Sequence, residues 1–225
     1  MDCQVTPKDI YDFKSTSILT QTPFWGRIKE KQGFRAKGFE LGASTDLLDP
    51  TCADSTIINE DLLVLVKPLS DGSCFAYVPY GPKLEPSFEN QGPFLEQLSE
   101  SLIARLPTNC LFIRYDLLWQ NQWSAEKDYF DQHGNWIGPP PSETQEYRLN
   151  FNTLKGNLKK SLTDNLPKNT FFIDLNAPEE ELLYNMRFNT RYAIRKAIKQ
   201  GVQVNEYGIE HITQWYALYT ETALR

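Results

Sequence analysis

The hydrophobic and polar positions of this chain alternate in short, strand-like runs over its first half. Strands are predicted over 35–41, 62–68 and 74–78, and the last two are joined by a Ser70-Asp71-Gly72-Ser73 hairpin turn. Residues 8–17 read as a short helix. Thr22-Pro23-Phe24-Trp25-Gly26-Arg27-Ile28-Lys29 reads as a helix start. There Thr22 can cap a free N–H, and Pro23 sits where its missing N–H costs nothing. Gly92-Pro93 introduces a helix over 94–106 with Leu95, Leu98, Leu102 and Ile103 on one face. A strand over 111–117 follows, and its alternation puts Arg114 and Asp116 on one side, an arrangement more often structural than catalytic. The elements are those of an α/β fold with antiparallel pairing at its start.

The pattern then changes. Residues 119–166 are polar around Gly138-Pro139-Pro140-Pro141 and read as a long insertion or linker, with room for a small strand at 146–150. A second unit begins with a strand over 170–175, which feeds a helix, a strand over 202–204 and a further helix from about residue 209. No Gly or Pro stops that helix before Arg225, so the second unit is expected to be incomplete. The expected organisation is a first domain over 1–150, with its polar insertion from about 119, and the beginning of a second domain over 167–225.

The helix that opens the second unit carries the strongest charge pattern. Residues 186–202 hold five cations (Arg187, Arg191, Arg195, Lys196 and Lys199) and no acid. Arg187, Arg191, Arg195 and Lys199 recur every fourth residue, which on one helix makes a slowly winding basic ridge. Met186, Thr190, Ala193, Ile194 and Ala197 form an adjoining apolar stripe expected to face a core. Glu179, Glu180 and Glu181 at one end and the cations at the other also suit the helix dipole without any ligand. Asn176 is a candidate N-cap, Pro178 fits the first turn, and Gly201 fits the residue just past the end. The ridge is therefore either a solvated face or a surface for phosphates or RNA. The repulsion among four unrelieved like charges favours the second.

Charge sharpens that point, because the 225-residue chain has a formal net charge of -6. An acidic whole argues against general nucleic-acid binding, so no DNA partner is expected and any RNA contact must be local. A hydrophobic content of 40% with 13% aromatics describes a globular chain. No apolar run reaches the roughly 20 residues that span a bilayer. Met1-Asp2-Cys3-Gln4 lacks the features of a signal peptide, which leaves the cytoplasm as the default. Cys3, Cys52, Cys74 and Cys110 are scattered and only His133 and His211 could assist them, so no metal site is expected. Cys74 and Cys110 sit in strand-like sequence, as reduced and mostly buried thiols.

Several segments together carry a resemblance. They are Ile18-Leu19-Thr20-Gln21-Thr22-Pro23-Phe24-Trp25-Gly26-Arg27-Ile28-Lys29, Tyr77-Val78-Pro79-Tyr80-Gly81-Pro82 and Phe112-Ile113-Arg114-Tyr115-Asp116. Phe171-Phe172-Ile173-Asp174-Leu175 and the stretch from Thr190 to Val202 follow, and then residues 216–225. In this order they resemble the Fem-type aminoacyltransferases that build peptidoglycan interpeptide bridges (FemA, FemB, FemX and MurM relatives). The resemblance covers most of the chain outside 119–166.

That resemblance implies a GNAT-like (acyl-CoA N-acyltransferase-like) α/β fold, here a first domain plus the start of a second. It implies transfer of an aminoacyl group from aminoacyl-tRNA to the stem-peptide amine of a muramyl-pentapeptide precursor, either UDP-linked or lipid-linked, with no cofactor. It places the region around Trp25, Arg27 and Lys29 near the precursor's phosphates, Arg27 first and Lys29 second. Tyr80 and Gly81 fall beside the substrate cleft. The basic residues from Arg187 to Lys199 become candidates for guiding tRNA or phosphates. An aminoacyl ester is already activated, so the chemistry needs positioning, oxyanion stabilisation and loss of a proton, and no catalytic base is nominated. Family chains continue beyond the position of Arg225, so an incomplete paralogue acting as a binding module is one alternative. An acyl-CoA-dependent N-acyltransferase is another. Its phosphate-cradling turn finds only a poor match in Arg35-Ala36-Lys37-Gly38-Phe39-Glu40, which sits in strand-like sequence.

Overall fold

The computed structural model describes residues 3–49, 51, 55–167 and 173–225, which fall into two compact units, Met1–Lys168 and Asn169–Arg225. The first unit is built on a five-stranded sheet in the order β1-β2-β3-β4-β5. Its strands are β1 (Cys3–Pro7), β2 (Arg35–Ser44), β3 (Ile57–Pro68), β4 (Cys74–Pro79) and β5 (Cys110–Asp116). The helices are α1 (Pro23–Lys31), α2 (Thr45–Leu48), α3 (Gln91–Ile103) and α4 (Ser142–Leu149). The first four strands pair antiparallel, and only β4 and β5 run parallel, joined through α3.

The central strand explains the layering. Leu62, Leu63, Val64, Leu65 and Val66 are all buried, a run that suits a strand covered on both faces. On one face Phe94, Leu98 and Leu102 of α3 pack with Val5, Leu41, Leu62, Val64 and Val78. On the other, Leu63, Leu65 and Tyr77 meet Ile10, Phe13, Trp25, Phe34 and Ala36. The unit is thus a helix–sheet–helix sandwich whose two hydrophobic layers meet at β3.

Local chemistry fixes the boundaries. Thr22 Oγ1 accepts the Trp25 N–H at 3.3 Å with Pro23 in the first turn, as the sequence predicts. Gly72 takes a φ of 84° in the β3–β4 hairpin, which spares a side chain the left-handed penalty. Four expectations are corrected. Residues 8–17 form only a short 3-10 turn, Ile10–Asp12, because the Lys8 N–H bonds the Gly38 carbonyl and draws the segment along β2. The expected strand at 146–150 is α4, whose Glu146 and Arg148 take ion-pair partners along the helix flanks. β1 pairs with β2 where no strand was expected. Ile103 is 60% exposed, and Phe94 takes its place in the core.

The polar stretch is no free linker. Trp123, Tyr129, Phe130 and Trp136 contact one another edge-on or tilted, and the Arg148 guanidinium lies 4.6 Å from the Trp123 ring. Glu96 of α3, itself buried, accepts the N–H groups of Leu154 and Lys155, each at 2.7 Å. α4 reaches α3 so closely that a Cβ on Gly92 would lie 1.8 Å from the Leu149 carbonyl oxygen.

The second unit holds α5 (Glu179–Asn185), α6 (Phe188–Lys199) and α7 (Ile212–Ala223). The single basic helix expected from the sequence is broken at Met186-Arg187, both of which are extended. Pro178 is the cap residue and Asn176 lies before it, bonded to Asp174. Gly201, at a φ of 78°, ends α6 with bonds from its own N–H to Ile198 and from Val202 to Ala197. Residues 202–204 are irregular instead of a strand, and of the expected strand at 170–175 positions 170–172 lie outside the described residues. Without a described sheet to cover them, Thr190 and Ala193 are exposed and Met186, Ile194 and Ala197 only half-buried.

Gly92→Ala should destabilise the first unit by about 2 kcal/mol or more, because the obstacle is backbone and cannot rotate away. Urea unfolding followed by tryptophan fluorescence measures it.

Candidate functional site

The carboxyl ends of β4 and β5 gather the conspicuous polar groups of the first unit. The β3–β4 ladder closes at Leu65 and Tyr77, and the next rung would join Leu63 to Pro79. The buried carboxamide of Gln21 fills that rung. Its Oε1 accepts the Leu63 N–H at 2.7 Å and its Nε2 donates to the Pro79 carbonyl at 2.7 Å. Thr20 Oγ1 donates to the same carbonyl at 3.1 Å. The segment before α1 is thereby bolted to the segment after β4.

Beyond Pro79 the chain turns sharply. Tyr80 has a φ of 47°, in the left-handed region that non-glycine residues rarely enter, and the Gly81–Pro82 peptide is cis. A Cβ on Gly81 would stand 2.8 Å from Gln21 Nε2, so only glycine fits against the carboxamide. Glu60, at the end of β3 nearest this turn, accepts the N–H groups of Lys83 and Leu84, each at 2.9 Å. Burial pushes its carboxyl up to about 7, against the opposing pull of those two N–H groups. The Trp119 indole donates to the Pro82 carbonyl at 3.0 Å. The turn is held from three sides.

Across the parallel pair, Tyr77 Oη donates to Asp116 Oδ2 at 2.8 Å, and Arg114 Nε donates to Asp116 Oδ1 at 3.2 Å. Burial first, then the Asp116 carboxylate, raises the Tyr77 phenol above its ordinary value. A strap formed by residues 161–167 closes over this network. The Arg114 guanidinium donates to Thr163 O and Oγ1, and Tyr80 Oη donates to Pro167 O at 3.4 Å. Asp116 therefore has both oxygens occupied and orients Tyr77 and Arg114, which is the structural role its alternation suggested.

The residues singled out from the sequence divide on inspection. Trp25 lies against Leu63, Leu65 and Tyr77, with its indole N–H buried and unpaired, so it acts as an apolar wall, while Phe24 is 52% exposed and no core anchor. Lys29 is drawn back, with its Nζ 5.0 Å from the Trp25 ring and 2.9 Å from Gln32 Oε1. Arg27 sits on the opposite, exposed side of α1 and has no hydrogen-bonding or ionic partner among the described residues. Tyr80 and Gly81 lie at the bolted turn, Tyr80 half-buried and Gly81 buried. Gln21, Glu60, Tyr77 and the strap were missed. A polar pair at Thr20-Gln21 and the acidic pair Glu60-Asp61 just before the apolar run of β3 were the available signals.

In the second unit, the Arg191 guanidinium folds back onto the carbonyls of Tyr184 and Met186 and caps the end of α5. Arg187 is the N-cap residue of α6, so the four-residue ridge begins only at Arg191. Arg195, Lys196 and Lys199 are exposed along α6. Two further observations bear on chemistry. Residues 35–40 lie inside β2 instead of at a helix N-terminus, so they cannot form the acyl-CoA phosphate turn. Among the described residues no group of acids, histidines and cysteines could hold a metal, and no helix is long and apolar enough to cross a membrane.

Three of the segments that carry the family resemblance thus meet physically, Gln21 of the first on Pro79 of the second, and Tyr77 of the second on Asp116 of the third. The profile of the FemAB family matches residues 8–225, nearly the whole chain. The chain belongs to the FemAB family. Membership makes it a Fem-type protein, in a family whose general activity is aminoacyl transfer in peptidoglycan bridge formation. Comparisons with curated proteins and with solved structures each gave no match.

Two outcomes test this geometry. Gln21→Leu strands a buried N–H and should cost about 1–3 kcal/mol in urea unfolding. For Glu60, a folded value above the ordinary 4.5 means that the folded state binds the extra proton, so its contribution favours folding below 4.5 and is lost as the pH rises to about 7. The difference in stability between wild type and Glu60→Gln should therefore change across that window and be flat above it.

Proposed function

We propose that this FemAB-family protein handles a muramyl-pentapeptide precursor and aminoacyl-tRNA, joining the aminoacyl group to the stem-peptide amine. The observation that carries the reading is Arg27, an exposed and unpaired cation on a helix whose N-terminal entry is bolted by Gln21 to the β4 turn. A free guanidinium on a fixed helix can offer paired N–H groups to diphosphate oxygens at little cost in ordering. Lys29, already engaged by Trp25 and Gln32, is the lesser contact. Tyr80 and Gly81 supply a rigid turn along which the peptide portion can lie.

The reaction needs little more than placement. The amine attacks the ester carbonyl, a tetrahedral oxyanion forms and collapses, the tRNA terminal hydroxyl leaves, and the proton lost by the amine balances the one the hydroxyl gains. In this reading the β1–β5 unit is one GNAT-like domain and the unit from Asn169 to Arg225 belongs to another. On α6, Arg195, Lys196 and Lys199 form the face offered to RNA phosphates, and Arg191 serves the α5–α6 corner. The acceptor is UDP-linked or lipid-linked, and both share the diphosphate that Arg27 would hold.

Calorimetric titration with UDP-muramyl-pentapeptide tests the reading. Arg27→Ala should weaken binding by roughly 10-fold or more, the loss expected for one charge-assisted contact. Lys29→Ala should do less. Binding that ignores Arg27→Ala, or none at millimolar ligand, would overturn the assignment. Replacing Arg195, Lys196 and Lys199 together by Ala should lower affinity for aminoacyl-tRNA and flatten its salt dependence. Arg191→Ala should instead loosen the α5–α6 corner, seen as lost helicity by circular dichroism.

A further inference from the structure

Cys74 opens β4 and Cys110 opens β5, and the two are direct partners in the parallel register. Neighbouring strands lie about 4.8 Å apart, within the Cα separation of about 4.4–6.8 Å that a disulfide spans. Their side chains turn to one face of the sheet, Cys74 inside the core beneath α3 and Cys110 packed against it. In the reduced state the Cys74 thiol donates to Asn109 Oδ1 at 3.7 Å and the Cys110 thiol to the Phe112 carbonyl at 3.5 Å, while burial first and then the neighbouring Cys74 raise the Cys110 thiol above its ordinary value. Both are free thiols. Their access differs in a useful way, since Cys74 is buried and Cys110 half-buried. The backbone also has room to adjust. β5 is an edge strand, and the register slips by one residue immediately after the pair, between Cys74 and Ala76.

We propose that Cys74 and Cys110 form an oxidisable dithiol that closes to a cross-strand disulfide in the presence of a hydroperoxide. The half-buried Cys110 is the sulfur oxidised first. Its thiolate takes the terminal oxygen of hydrogen peroxide, the O–O bond breaks, and the departing hydroxide gains a proton to become water. Cys110 is then a sulfenic acid. Cys74 loses its proton and attacks the Cys110 sulfur, the S–O bond breaks, and the second hydroxide leaves as water. Two thiols and one peroxide give one disulfide and two waters, with two electrons moving from sulfur to oxygen. The bond would tie together the start of the strand pair whose far ends carry Tyr77 and Asp116.

The test uses the full chain, reduced and then incubated with hydrogen peroxide, and reads intact mass, peptide maps without reductant and thermal melting. The wild type should lose two hydrogens, give a peptide pair joined through Cys74 and Cys110, and melt about 5–10 °C higher than the reduced protein. Cys74→Ala should instead add oxygen at Cys110, and Cys110→Ser, at the exposed edge where folding is least disturbed, should give neither product at that position. Oxygen added to the wild type without loss of two hydrogens would overturn the proposal, as would a cross-link through Cys3 or Cys52.

Discussion

Where β3 and β4 part after Leu65 and Tyr77, two backbone groups are left in the interior, and the Gln21 carboxamide answers both. A primary amide has the acceptor and donor of a peptide unit, so it can stand in for a missing rung, and no hydroxyl or charged group does so with the same spacing. The consequence reaches beyond one hydrogen-bonded pair. It fixes where α1 begins, and so the position of Arg27. It also presses against Gly81, so the turn after β4 cannot move without breaking buried bonds. An unpaired buried N–H costs more than an ordinary hydrogen bond contributes, which makes the joint stiff.

The same economy appears around that joint. Glu60 holds the two N–H groups that follow Pro82, Trp119 holds its carbonyl, and Asp116 holds Tyr77 and Arg114. Glu96, on α3, fixes the chain at Leu154 and Lys155, ahead of the strap that returns over the strand ends through Thr163 and Pro167. Two acids at strand ends and one on a helix thus determine the path of irregular chain by accepting backbone N–H groups or by orienting a phenol and a guanidinium. That is how a protein with an acidic balance can spend carboxylates on architecture and leave a few cations unopposed. Arg27 in the first unit, and Arg195, Lys196 and Lys199 in the second, are among the exposed cations that this leaves available to an anionic ligand.

The charge run on the second unit shows how local geometry revises a periodic pattern. Spacing by four made Arg187, Arg191, Arg195 and Lys199 equivalent, but the extended Met186-Arg187 corner separates them. Arg191 is consumed by the carbonyls that the break in the helix exposes. Such a break frees acceptors, and the nearest long cation satisfies them. A ridge read from periodicity alone counts a structural arginine among those that face solvent.

The sequence by itself determined the central β strands, the Thr22-Pro23 helix start, the Gly72 hairpin and the Gly201 helix stop, because these depend on residues adjacent in the chain. It also identified the family, since the motifs keep their order and identity whatever their contacts. β1 escaped notice because it is short and its pairing with β2 is a long-range choice. The helix expected at 8–17 yielded to a backbone bond with Gly38, and the strand expected at 146–150 yielded to ion pairs and packing against α3. Only the tertiary structure decided that Gln21 replaces a sheet rung, that Asp116 holds the Tyr77 phenol, and that Cys74 and Cys110 are partners in register. Each of these depends on segments dozens of residues apart meeting at a hydrogen-bond or van der Waals distance, and no local propensity encodes such meetings.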